Sequence, residues 1–151
     1  MALKERINDE MKAALLSGNR FVGETLRNLK AAILNEEVAT GKRDVGLADS
    51  DIEKVIAREV KKRHESATLY RENARPELAE PEEREADILQ AYLPEQLDED
   101  ALRNIITAKI AELGATDMKA MGQVIGAVKQ QVGNTADGAL IASIVKHELT
   151  K

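Results

Sequence analysis

His64 and His147 are the residues best suited to metal or proton-transfer chemistry, and neither has a carboxylate beside it at ligand spacing. A zinc site draws on three or four ligands, so this pattern predicts no metal. Asp49-Ser50-Asp51 and Asp98-Glu99-Asp100 resemble fragments of a calcium loop. Both lack the glycine and the bidentate glutamate that such a loop requires, and they read instead as acids of helix amino-terminal turns. Gly41-Lys42 has no upstream glycine at phosphate-loop spacing. Ser17, Ser50, Ser66 and Ser143 lack the strained, glycine-flanked turn of a hydrolase nucleophile. Carboxylates are plentiful, but acid–base catalysis needs a desolvated pair with separated pKa values. Exposed helix faces account for Glu36, Glu37, Glu82 and Glu83 without such a pair. No catalytic residue and no cofactor is expected.

The elements that carry these residues are helical. Of 151 residues, 43% are hydrophobic, 32% charged and only 2% aromatic, so the cores are built from Leu, Ile, Val, Met and Ala. Three prolines and nine glycines are too few for an all-β chain rich in turns. There is no cysteine, which excludes a disulfide framework and a thiolate site. No run approaches the roughly 18 apolar residues of a membrane span, and the charged start Met1-Ala2-Leu3-Lys4-Glu5-Arg6 is followed by no apolar leader. The cytoplasm is the expected compartment, with no membrane partner. Net charge is −5. Residues 1–95 hold 16 basic and 20 acidic side chains and residues 96–151 hold 6 and 7, so neither half is basic. Nucleic-acid contact must therefore come from a local face.

Apolar residues recur at helical spacing almost throughout. Leu3, Ile7, Met11, Ala14 and Leu15 form one stripe, and Val22, Leu26, Leu29 and Ile33 a second after the break at Ser17-Gly18-Asn19. Gly41 to Leu47 reads as a loop. A third helix opens with Ser50 and Glu53, a capping-box pairing, and carries Ile52, Ile56, Val60, Ala67 and Tyr70. Pro76 and Pro81 mark a break or the first turn of a fourth helix, with Glu82, Glu83 and Glu85 early and Ile88, Leu89 and Tyr92 late. Leu93-Pro94-Glu95-Gln96-Leu97 is the expected linker. Beyond it, Asp98 is placed to cap a helix ended by Gly114, and Thr116 to cap another with Met118, Met121, Ile125, Val128 and Val132. Gly133-Asn134 ends that helix, and a last one starts between Thr135 and Gly138. The expected architecture is all-α: about four helices over residues 1–94 and a smaller three-helix tail over 95–151.

Charge placement yields the binding candidates. On the second helix Arg20 and Arg27 point well away from the apolar stripe, and Lys30 flanks it. On the third, Lys54, Arg58 and Lys61 cluster opposite the stripe, with Lys62 beside them. These faces are either ordinary solvated surface, balanced by Glu24 and Glu65, or a binding face. Arg63 lies within the apolar stripe, where Glu59 four residues earlier can pair with it. It reads as a partly buried ion pair or as an interface anchor. Gly122 and Gly126 stand one turn apart inside a helix, each costing about 1 kcal/mol against Ala. Close helix packing or an open face for a partner's backbone would compensate. Gly133 to Gly138 delivers the chain to a helix amino terminus, whose free N–H groups suit a phosphate unless Asp137 caps them.

Five motifs in order resemble one family. Arg27-Asn28-Leu29-Lys30-Ala31-Ala32 with Asn35-Glu36, and Arg58-Glu59-Val60-Lys61-Lys62-Arg63 with Ser66, resemble the helical motifs of the GatB/YqeY family. Ala91-Tyr92-Leu93-Pro94-Glu95-Gln96-Leu97 is similar to its interdomain signature. Met121-Gly122-Gln123-Val124-Ile125-Gly126 and Ala136-Asp137-Gly138 resemble its tail, and together the motifs run from about residue 3 to residue 149. The resemblance implies an all-α protein with an N-terminal helical domain and a smaller C-terminal tail, a module that helps hold tRNA. In the B subunit of tRNA-dependent amidotransferases, and in some glutaminyl-tRNA synthetases, such a module is an appendage. Carbon–nitrogen ligase activity with glutamine as amido-N-donor then belongs to the amidotransferase, whose catalytic machinery lies in other domains. The implied partners are tRNA and an amidotransferase or aminoacyl-tRNA synthetase. Where family tails often carry basic residues near Ala-Asp-Gly, this chain has Asn134, Thr135 and Ala139. Lys119 and Lys129 remain, and weight shifts to Arg27, Lys30, Arg58 and Lys61, with Lys62 beside them. The Gly133, Asn134 and Gly138 backbone is expected to approach the RNA, and Arg63, Gly122 and Gly126 a protein partner.

Overall fold

In a computed structural model that describes residues 2–151, seven α-helices carry the chain and no strand occurs among the described residues. They are α1 (Leu3–Leu16), α2 (Arg20–Ala39), α3 (Asp49–Glu72), α4 (Pro76–Gln90), α5 (Glu99–Leu113), α6 (Met121–Val132) and α7 (Gly138–Leu149). Two short 3₁₀ turns, Met118–Ala120 and Gly133–Thr135, flank α6. The chain forms two compact units that divide between Leu93 and Pro94.

The first unit packs α1 to α4 around Ile7, Leu26, Leu29, Ile33, Ile52 and Ile56, with Leu89 and Tyr92 closing the core. These are the stripes expected from periodicity, and burial of one apolar face per helix is what holds such short helices together. Gly23 lets α1 and α2 approach closely. A Cβ there would overlap Leu15 Cδ2 and stand 2.8 Å from Leu15 Cγ. The Tyr92 hydroxyl donates to Glu10 and its ring lies under Arg6, with the guanidinium carbon 4.7 Å from the centroid. Burial first, then the Glu10 contact, pushes the Tyr92 phenol up.

The second unit packs α5, α6 and α7 around Leu102, Ile106, Val124, Val128, Ile141 and Val145. Asp98 caps α5 by accepting the Ala101 N–H at 2.7 Å, and left-handed Gly114 closes it. Gln96 Nε2 donates to the Asn134 carbonyl, and the Leu97 N–H to the Thr135 carbonyl at 2.8 Å. The start of this unit is thereby tied to the turn before α7.

Four local expectations change. The α3 helix begins at Asp49 with extended Ala48 before it, so Ser50 lies inside the first turn instead of at the cap. Asp49 Oδ1 meanwhile accepts the Leu3 N–H at 3.2 Å, so this acid satisfies a free donor at the start of α1. Thr116 does not cap α6. Asp117 accepts the Lys119 N–H at 2.9 Å and opens a 3₁₀ turn first. Pro76 starts α4, whereas Pro81 sits within it on the exposed side, where the missing N–H costs one ladder bond without breaking the helix. Glu37, expected on an exposed face, is 1% exposed.

Candidate nucleic-acid interface

The basic residues of the first unit divide by their partners. Arg27 Nη1 lies 3.2 Å from Glu24 Oε1, and Arg58 Nη2 lies 3.1 Å from Glu36 Oε2. Lys62 Nζ pairs with Glu59 Oε2 at 3.2 Å. Lys30 differs: its ammonium donates to the neutral amide oxygen of Asn8 at 2.8 Å. Lys61 is exposed and forms no ion pair among the described residues. Surface pairs of this sort contribute little to stability, but they offset the positive field that each face would otherwise present.

Arg63 is 12% exposed and joins two helices. Its Nη1 donates to the Glu59 carbonyl at 3.1 Å and lies 3.5 Å from Glu59 Oε1, while its Nε donates to Glu85 Oε2 of α4 at 3.1 Å. The guanidinium thus bridges α3 and α4 from within the apolar stripe.

The second unit brings three of its candidates onto one face. At about 100° per residue, Gly122, Gly126 and Lys129 fall within roughly 60° of one another on α6, all exposed and turned away from buried Val124, Val128 and Val132. A Cβ added at Gly122 or Gly126 would meet nothing within 4 Å. Close helix packing does not explain these glycines: the face they line is open. Exposed Lys119 stands in the turn before Met121, and Gly133 ends the helix with φ +56°, a conformation that favours glycine. Neither Lys119 nor Lys129 forms an ion pair among the described residues. The Lys129 side chain reaches Gly138, where an added Cβ would stand 3.4 Å from Nζ. Asp137 Oδ2 accepts the Leu140 N–H at 3.2 Å, so one of the free donors at the α7 amino terminus is capped. Asn134 is half-buried beside Gly133.

The Yqey-like protein family matches residues 4–149. The chain belongs to that family. The five motifs that suggested it occupy α2, α3, the α4–α5 connection, α6 and the start of α7. The chain is also similar to altered inheritance of mitochondria protein 41, mitochondrial, of Clavispora lusitaniae, at 27% identity over 136 residues. That alignment covers 88% of this chain and 75% of the relative. Among the described residues no helix is long and apolar enough to cross a membrane. His64 and His147 are both exposed, on α3 and α7, and no three His, Asp or Glu side chains among the described residues gather as a metal cage would require.

Periodicity missed one further feature of this YqeY-like chain. Lys4 of α1, together with Arg27, Lys30, Ala31, Leu34 and Glu37 of α2, lines an open hollow of about 300 Å³. Its signal in the sequence was Leu34, an apolar residue lying off the buried stripe of α2.

Proposed function

We propose that this chain is a non-catalytic module that holds tRNA by its sugar–phosphate backbone, acting beside a glutamine-dependent amidotransferase or an aminoacyl-tRNA synthetase. The observation that carries the reading is the open α6 face. Two glycines without neighbours stand between Lys119 and Lys129, two cations with no carboxylate partner among the described residues. Bare helix backbone lets a bulky phosphodiester chain come close, and a lysine at each end supplies the charge. Lys129 beside Gly138 brings an ammonium to the amino terminus of α7, and Gly133 and Asn134 supply backbone between the two. In the first unit Lys61 is an unpaired cation, while Arg27, Arg58 and Lys62 must exchange an acidic neighbour for a phosphate. Family membership supports the reading in a second way, through the tRNA-holding role that the GatB/YqeY resemblance implies. On this reading, amide transfer from glutamine belongs to the partner enzyme.

The test is a titration of purified protein with tRNA between about 50 and 200 mM salt. Each phosphate contact contributes about 0.9 to the slope of log affinity against log salt. Replacing Lys119 and Lys129 together by Glu should weaken binding and reduce that slope by about two. The double variant Arg27→Glu/Lys61→Glu measures the share of the first unit in the same way. Absence of binding at low salt, or a slope unchanged by both double variants with helix content intact, would remove the RNA reading.

A further inference from the structure

We infer that the outer face of α2 is a docking site for a protein partner, which presents an acidic amphipathic helix to it. The inference goes beyond the RNA reading. Arg27, Ala31, Leu34 and Val38 follow one another at i, i+4, i+7 and i+11, a line of about 16 Å along the helix. It is separate from the buried line of Leu26, Leu29, Ile33 and Glu37. Leu34 is 44% and Val38 57% exposed, so one helix carries a core stripe and a second apolar stripe with nothing over it. Beside that stripe lies the open hollow of about 300 Å³ walled by Lys4, with room for more than one apolar side chain.

Charge decides what the partner carries. The Glu37 carboxylate is buried and occupied by Lys4 and by the Leu47 N–H, and Glu24 is occupied by Arg27. Lys30 is held in place by a neutral amide oxygen, so its charge stays available at the edge of the hollow. An acid on the partner helix pairs with Lys30 while a leucine one turn away enters the hollow and a second apolar residue covers Val38. This is the helix-in-groove mode, read as anchors at i, i+3 or i+4, and i+7. A phosphate chain would satisfy Lys30 but leave Leu34 and Val38 against water, which favours a helix over RNA as occupant.

The probe is a fluorescein-labelled amphipathic peptide of about 18 residues, long enough to form several helical turns, with Leu at i, i+4 and i+7 and Glu flanking them. Amide shifts in the full chain should concentrate at Lys4, Asn8 and residues 27–38. Leu34→Asp, and separately Lys30→Glu, should each weaken the peptide by about tenfold or more, a loss of about 1.4 kcal/mol. A peptide with Lys in place of Glu should bind wild type poorly and recover on the Lys30→Glu variant. The Lys119→Glu/Lys129→Glu variant should bind the peptide like wild type, which separates this site from the α6 face. The inference is overturned if shifts lie elsewhere or if both peptides bind wild type equally. It is also overturned if tRNA perturbs these amides and the peptide does not, or if the face closes by self-association in sedimentation velocity and excludes the peptide.

Discussion

Lys4 and Glu37, 33 residues apart, form the central polar contact of the first unit: the Lys4 ammonium donates to both carboxylate oxygens at 2.9 Å. Glu37 also accepts the Leu47 N–H at 3.0 Å, so a single buried acid joins α1, α2 and the loop before α3. The loop wraps close to it, since a Cβ at left-handed Gly46 would stand 3.4 Å from Glu37 Oε2.

Removing the cation should cost more than a surface pair would. Lys4→Met leaves a buried carboxylate with one donor, and an unsatisfied buried group costs about 1–3 kcal/mol. The urea midpoint should fall, whereas Arg27→Met, which breaks an exposed pair with Glu24, should move it much less. Equal shifts in the two variants would refute the special role of Glu37.

The same acid sets a pH dependence. Burial raises the Glu37 pKa, but the Lys4 hydrogen bonds, the Leu47 N–H and the charge of Lys4 together outweigh it and hold the group below its ordinary value of 4.5. A depressed carboxylate contributes stability that is complete above the unfolded value and lost as pH falls through the folded one. Wild type should therefore lose stability below about pH 4.5 more steeply than Glu37→Gln. Chemical denaturation at a series of pH values compares the two slopes, and parallel curves would count against the assignment.

Two glycine-to-alanine changes should have opposite signs. Gly126→Ala places a methyl in open space within a helix and should stabilise by about 0.5–1 kcal/mol, while weakening tRNA if the phosphate chain lies on α6. Gly23→Ala drives a methyl into Leu15 and should destabilise by about 1–3 kcal/mol, the cost of overpacking. Thermal melts give the signs. A stabilised Gly126→Ala protein with undiminished tRNA affinity would show that the open face is not where RNA approaches.

Arg63 is expected to resist conservative replacement. Its planar fork reaches Glu59 and Glu85 on two helices, a geometry that a lysine ammonium does not reproduce. Arg63→Ala leaves two partly buried acids facing each other and should cost about 3 kcal/mol. Arg63→Lys should recover only part of that in guanidinium unfolding, and full recovery would argue for simple charge balance.

What the sequence determined by itself was local. The stripe of α2 through Leu26, Leu29 and Ile33 and the ends of α5 at Asp98 and Gly114 follow from spacing and end chemistry, which involve residues only a few positions apart. The five motifs, though scattered, preserve their order in one dimension, so the family was legible too. Tertiary structure decided where a helix face meets a neighbour. Glu36 and Glu37 are adjacent acids with the same local signal, yet Glu36 lies outward near Arg58 while Glu37 is enclosed by Lys4 and Leu47. Gly122 and Gly126 likewise gave no sign of whether another helix lay over them, because only the packing of α5 and α7 leaves that face bare. Periodicity states which side of a helix is apolar; contacts across tens of residues decide which polar groups lose their water and which cations stay free for a ligand.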